Sequence, residues 1–158
     1  MTRKEQAIKN FQAGYNCAQA VFVTFCDLTG FDEKTALHLA APFGGGFGRQ
    51  REVCGAVSGM CLTVGALYGY DDAKDMNVKA AHYQAVQEIC KEFRLRAGGS
   101  IICRDLLAED GKDTAHTPSA RTDAYYKKRP CAELVGEAAD IVEAYIKTHP
   151  LAKKSLKS

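Results

Sequence analysis

Seven cysteines, at positions 17, 26, 54, 61, 90, 103 and 131, are the residues of this chain best able to do chemistry. The number is odd and no C-x-x-C occurs, so the compact signatures of zinc ribbons, thioredoxin-like sites and ferredoxin clusters are absent. Any thiol site must therefore be assembled from distant parts of the chain. Asn16, Ser100 and Pro130 read as helix starts, which puts Cys17, Cys103 and Cys131 in first turns. Cys54 follows a glycine-rich stretch and lies in or just beyond another first turn. Free amides and the helix dipole favour an anion there, so a thiol at such a position is more acidic than its reference value of about 8.5. Thiolate is the form that binds metals and attacks disulfides. Cys26, Cys61 and Cys90 fall in helix bodies or near their ends and read as small buried hydrophobes.

The elements that must carry these residues are helical nearly throughout. Thr2 with Glu5 forms a capping box for a stripe of Ile8, Phe11 and Tyr15. Asn16 opens a second helix to about Leu28, and Asp32 a short one ending before Pro42. A helix from about Gln50 to Tyr68 follows the glycines, and the longest runs from Asp71 or Asp72 to about Arg96. Ser100 then caps Ile101 to Ala108, residues 109–119 read as a loop, and a short helix covers 120–128. Pro130 opens the last helix, to about Thr148, with a stripe of Cys131, Leu134, Val135, Ala138, Val142 and Tyr145. No alternating run reads as a strand and there is no internal repeat. The expectation is an all-α, single-domain bundle of six to eight helices over residues 1–150, with residues 151–158 a basic, frayed tail.

The stretch F-G-G-G-F-G-R-Q-R-E-V-C-G-A-V-S-G, residues 43–59, concentrates the other candidates. As a phosphate cradle it fails, lacking the G-x-x-x-x-G-K-[ST] order and a preceding strand. Gly55 and Gly59 share one helix face and admit close approach of another helix or of a cofactor such as an inorganic cluster. Arg49 and Arg51 can receive an anion beside the Cys54 helix start, or be solvated or ion-paired. His82 falls on a stripe with Val78, Ala85, Ile89 and Phe93, where a satisfied core histidine is expected; the four histidines have no ligand-like spacing.

These motifs, taken in order, resemble the family named for its C-GCAxxG-C-C cysteine pattern. The matching stretches are Gly14 to Val21 around Cys17, Cys54-Gly55-Ala56-Val57-Ser58-Gly59 after the glycine loop, Cys103 to Leu107, and Pro130-Cys131 with its helix. The resemblance spans about residues 5 to 145 and implies that Cys17, Cys54, Cys103 and Cys131 form one site. The family name writes glycine before the second cysteine, whereas here Val53 precedes Cys54 and Gly55 follows it. The family's redox role is inferred largely from its cysteines, so the resemblance implies a redox-active protein without a stated mechanism.

Two chemistries suit four such thiols. They can ligate a metal, as an iron–sulfur cluster or a tetrahedral zinc, or two of them can cycle between dithiol and disulfide with no cofactor. Spacings of 37, 49 and 28 residues do not choose between them. The protein would serve as an oxidoreductase or an electron carrier for a redox partner or small molecule. Two other classes compete. One is a non-redox helical module for a small anion or apolar ligand, with Arg49 and Arg51 at its mouth; the other is a homodimer with Gly55 and Gly59 at the interface. A net charge of +2, with basic residues dispersed, gives no push toward nucleic acid. The polar N-terminus and the absence of an 18-residue apolar run argue against a signal peptide or a membrane span, and the expected home is cytoplasmic.

Overall fold

The computed structural model describes residues 1–152; the predicted basic tail, from Lys153 on, lies outside the described residues. Among the described residues there are nine helices and no named strand: α1 (Arg3–Gln12), α2 (Cys17–Val23), α3 (Cys26–Thr29), α4 (Glu33–Ala40), α5 (Gly55–Tyr68), α6 (Met76–Arg96), α7 (Cys103–Leu107), α8 (Asp123–Lys128) and α9 (Cys131–Thr148). The all-α class read from the sequence is the class observed. None of these helices is long and apolar enough to cross a membrane.

The starts follow local chemistry. Thr2 and Asn16 both make complete capping boxes, with Glu5 and Gln19 reaching back to the cap amides. Asp32, Asp75 and Thr122 each accept from backbone amides of the turn they open. Asp75, rather than Asp71 or Asp72, starts the longest helix. The helix expected from Asn16 to Leu28 breaks at Thr24–Phe25, which is why nine helices appear. There Thr24 Oγ1 bonds back to the Ala20 carbonyl, Asn10 donates to both groups, and Arg3 takes the Thr24 carbonyl. Side chains thus occupy the carbonyls that a continuous ladder would use.

α9 and α5 form the centre, with α1 packed along α9, α2 on both α5 and α9, and α6 against α9 and α5. Phe11, Phe25, Phe93, Met60, Val64 and Val142 are fully buried between them. Truncating any of these phenylalanines to alanine should cost about 3–5 kcal/mol. A smaller cluster of Ala18, Phe22, Ala36 and Ala40 holds α4 on the outside of α2. Lys4 pairs with Glu133 and Glu137 while Arg96 pairs with Glu137 and Asp140, lacing α1 and α6 to α9. These pairs are partly exposed, and each contributes about 1 kcal/mol or less. The packing that matters most for function brings the starts of α2, α5, α7 and α9 to one end of the bundle.

Candidate functional site

Cys17, Cys103 and Cys131 are each the first residue of a helix, and Cys54 is the residue that caps α5. All four line a single cavity of about 260 Å³. Cys54, Cys103 and Cys131 are buried and Cys17 is half-buried. Two local devices set this geometry.

The first is a short antiparallel pairing that the sequence reading did not contain. Val53 bridges Ile102, the Cys54 amide donates to the Ile101 carbonyl (2.7 Å), and the Cys103 amide donates to the Glu52 carbonyl (2.6 Å). Cys54 and Cys103 are thereby held side by side at two helix starts. Because residues 52–54 carry this pairing, with Arg51 just before them at positive φ, α5 begins at Gly55 and not at Gln50, and α7 begins at Cys103 and not at Ile101. Ser100 still serves the turn, accepting from the Ile102 amide and donating to Asp105.

The second device is the glycine loop. Gly45, Gly46, Phe47, Gly48, Arg49 and Arg51 all have φ between +62° and +73°. Three of these are not glycine, and such backbone persists only where surrounding contacts impose it. A Cβ on Gly46 would lie 2.6 Å from the Glu52 amide nitrogen and 2.8 Å from Cys103 Cβ, so the loop can turn under Cys103 only as glycine. A Cβ on Gly55 would lie 2.9 Å from Cys17 Cβ. The glycine that follows Cys54 is therefore what lets α5 start against Cys17. Gly59 lies one turn further along, 2.7 Å in the same sense from the Ala18 carbonyl; it packs α5 on α2 and is not part of the cavity wall.

Electrostatics separates the four thiols. The Cys17 thiol donates to the Cys131 sulfur, which holds Cys17 protonated well above the ordinary thiol range. The same contact pulls Cys131 down, and the guanidiniums of Arg129, Arg121 and Arg51 add to the effect against burial. Burial pushes Cys54 up to about 12, although the amides of Ala56 and Val57 oppose it. Burial also raises Cys103, offset in part by Arg51, whose Nη1 lies 3.8 Å from its sulfur. Of the four thiols Cys131 is thus the one whose ionisation is favoured, and Cys17, Cys54 and Cys103 are pushed the other way.

Arg49 and Arg51 line the cavity as well, joined by Arg121 and Arg129, which the sequence reading did not single out. Arg121 donates to the Phe11 and Tyr15 carbonyls and stacks on Phe11 at 4.3 Å. Arg129 comes two residues before Cys131, much as Arg51 comes three before Cys54, and that proximity was the available signal. The 109–119 loop closes over this end, contributing His116, Pro118 and Ser119 to the wall. His82 lies elsewhere, half-buried and edge-on to Tyr70 at 5.7 Å. Its Nδ1 has no partner, and Val78 is exposed, so the satisfied core histidine expected on that stripe is not what the fold contains.

A single tetrahedral zinc needs its sulfurs about 2.3 Å from one point. Among the described residues no three Cys, His, Asp or Glu side chains are grouped closely enough to hold a metal ion. The thiols surround a space and do not converge on a point, which does not match such an ion.

Comparison with known proteins gives one match. No curated protein and no solved structure matches the chain. One family model does, described as "Putative redox-active protein (C_GCAxxG_C_C)", and it covers residues 15–145, from just before Cys17 to well past Cys131. With most of its length matched, a range that includes every cysteine of the cavity, the chain belongs to the C_GCAxxG_C_C family.

Proposed function

We propose that the protein is a thiol–disulfide oxidoreductase that works through Cys131 and Cys17. The observation that supports this best is their contact on the wall of an arginine-lined cavity, where Cys131 is pulled below and Cys17 pushed above the ordinary thiol range. The Cys131 thiolate attacks one sulfur of a substrate disulfide, forming a mixed disulfide and expelling the first substrate thiolate. Cys17 gives up its proton to that leaving thiolate and attacks the Cys131 sulfur. The second substrate thiolate leaves, takes a proton from water, and a Cys17–Cys131 disulfide remains. One protein dithiol and one disulfide become one protein disulfide and two thiols, so atoms and electrons balance. Cys54, raised to about 12, stays a neutral wall residue.

The test is oxidation of the reduced protein under nitrogen by bis(2-hydroxyethyl) disulfide. The expected result is release of two equivalents of 2-mercaptoethanol and a Cys17–Cys131 cross-link in the peptide map. A cross-link between other cysteines, or none, overturns the assignment. A second reading is favoured by the size of the cavity and its four thiols: a cluster of iron and sulfide held by Cys17, Cys54, Cys103 and Cys131, supplying one-electron transfer. Anaerobic purification followed by iron and sulfide determination separates it, since a protein lacking both, with the cross-link, supports the dithiol alone.

A further inference from the structure

Burying a guanidinium is costly unless its donors are satisfied. Arg51 is 3 % exposed, and its three nitrogens have different fates. Nε donates to the Asp113 carbonyl at 2.9 Å, and Nη1 reaches Cys103 Sγ at 3.8 Å. Nη2 is buried with no hydrogen-bond partner, and no carboxylate among the described residues lies within ion-pairing distance of this side chain. Arg51 is one of the cavity's lining residues, so the unused donor belongs to a wall that faces open space.

Its surroundings carry the same sign. Arg49 pairs with Asp113 through Nη2 but leaves its own Nε buried and without a partner. Arg129 pairs with Asp110, whereas among the described residues Arg121 has carbonyl, hydroxyl and ring partners and no carboxylate. Among the described residues no Asp or Glu lines the cavity. Two long helices, α5 and α9, also begin at its wall, which favours negative charge there. Among the described residues Arg51 and Arg121 are thus the two cavity guanidiniums without a carboxylate partner.

We propose that the cavity seats a small oxyanionic group, a carboxylate or a tetrahedral oxyanion, on the free Nη2 of Arg51, with Arg49 and Arg121 as supporting cations. Anchored there, the group lies next to the Cys17–Cys131 pair. The substrate class is accordingly a small disulfide that carries a negative charge, a step that rests on the thiol–disulfide reading, whereas the anion seat itself does not.

The probes are inorganic sulfate and acetate, titrated calorimetrically into the Cys17→Ser/Cys131→Ser double variant against sodium chloride of equal ionic strength. This variant cannot run the exchange, so it reads the anion seat alone. Saturable binding of one equivalent is expected, with the tighter probe showing whether the seat prefers a tetrahedral oxyanion or a carboxylate. Adding Arg51→Gln should weaken binding by about tenfold or more, the usual worth of a charge-assisted hydrogen bond. Should that variant lose its helical circular dichroism, Arg49→Gln replaces it and should weaken binding in the same direction. Binding no tighter than chloride, or unchanged in the folded arginine variants, overturns the seat. Sulfate or acetate binding without any Cys17–Cys131 cross-link in the parent protein keeps the seat and defeats the dithiol reading.

Discussion

Cys17 meets Cys131 at the arginine-lined end of the bundle, and Cys61 meets Cys90 between α5 and α6. In both pairs one thiol donates to the other, so that Cys17 and Cys61 are pushed up while Cys131 and Cys90 are pulled down, Cys90 to about 7. Their surroundings differ. The first pair borders a cavity with four guanidiniums around it, and its thiols come from helix starts. The second lies in helix bodies; among the described residues Arg94 is the cation that pulls on Cys90, and Cys61 borders an apolar groove with Phe22, Phe31 and Leu62. Thiol contact by itself therefore does not distinguish a site from a core contact. Access and the sign of the neighbouring charge do.

The comparison breaks first on reactivity. Cys131→Ser should abolish release of 2-mercaptoethanol from bis(2-hydroxyethyl) disulfide, while Cys90→Ser should leave it within a factor of about two. Equal loss in both variants, read by thiol titration, would mean that the two pairs act as one system.

A second contrast concerns backbone. Gly46→Ala forces a Cβ into the Glu52 amide and Cys103 at a position of positive φ. Strain and overpacking together should cost about 2–5 kcal/mol. Gly65→Ala, one turn past Cys61 on α5, meets nothing within 4 Å and should gain up to about 1 kcal/mol from helix propensity. Urea denaturation of the two variants checks both signs. A tolerated Gly46→Ala would show that the loop is not held against Cys103.

How far the sequence carries a reader depends on how local each determinant is. The all-α class, the capping residues Thr2, Asn16 and Asp32, and the helix-start positions of Cys17, Cys103 and Cys131 are written within a few residues of where they act. The pairing of 51–54 with 101–104 is not, because each partner is only four residues long and neither alternates. Nor is the role of Arg121, which reaches the cavity by wrapping around Phe11 from a loop over a hundred residues away. From spacing alone Arg51 reads either as an anion receptor or as a solvated or paired side chain. Its burial depends on the loop 113–119 folding over it, which no spacing reports. Spacing lets Gly59 face either a cluster or, as expected first, a helix, and the register of α5 on α2 puts Ala18 there.

The smallest effect sharpens the comparison most. The pH dependence of iodoacetamide alkylation reports the thiolate fraction at Cys131 and Cys90 separately when the labelled peptides are resolved. Both midpoints should lie below that of an ordinary thiol. The stabilising part of such a depressed group is present above its unfolded pKa and is lost as pH falls through the folded value. Cys17→Ala and Cys61→Ala each remove the donor that is the largest cause of the depression, so both midpoints should rise. They should not rise equally. Cys131 keeps the pull of Arg129, Arg121 and Arg51 against its burial, whereas Cys90 keeps Arg94 alone. The rise should therefore be larger at Cys90, and an equal rise would mean that the cavity arginines are too well screened to set the chemistry of Cys131.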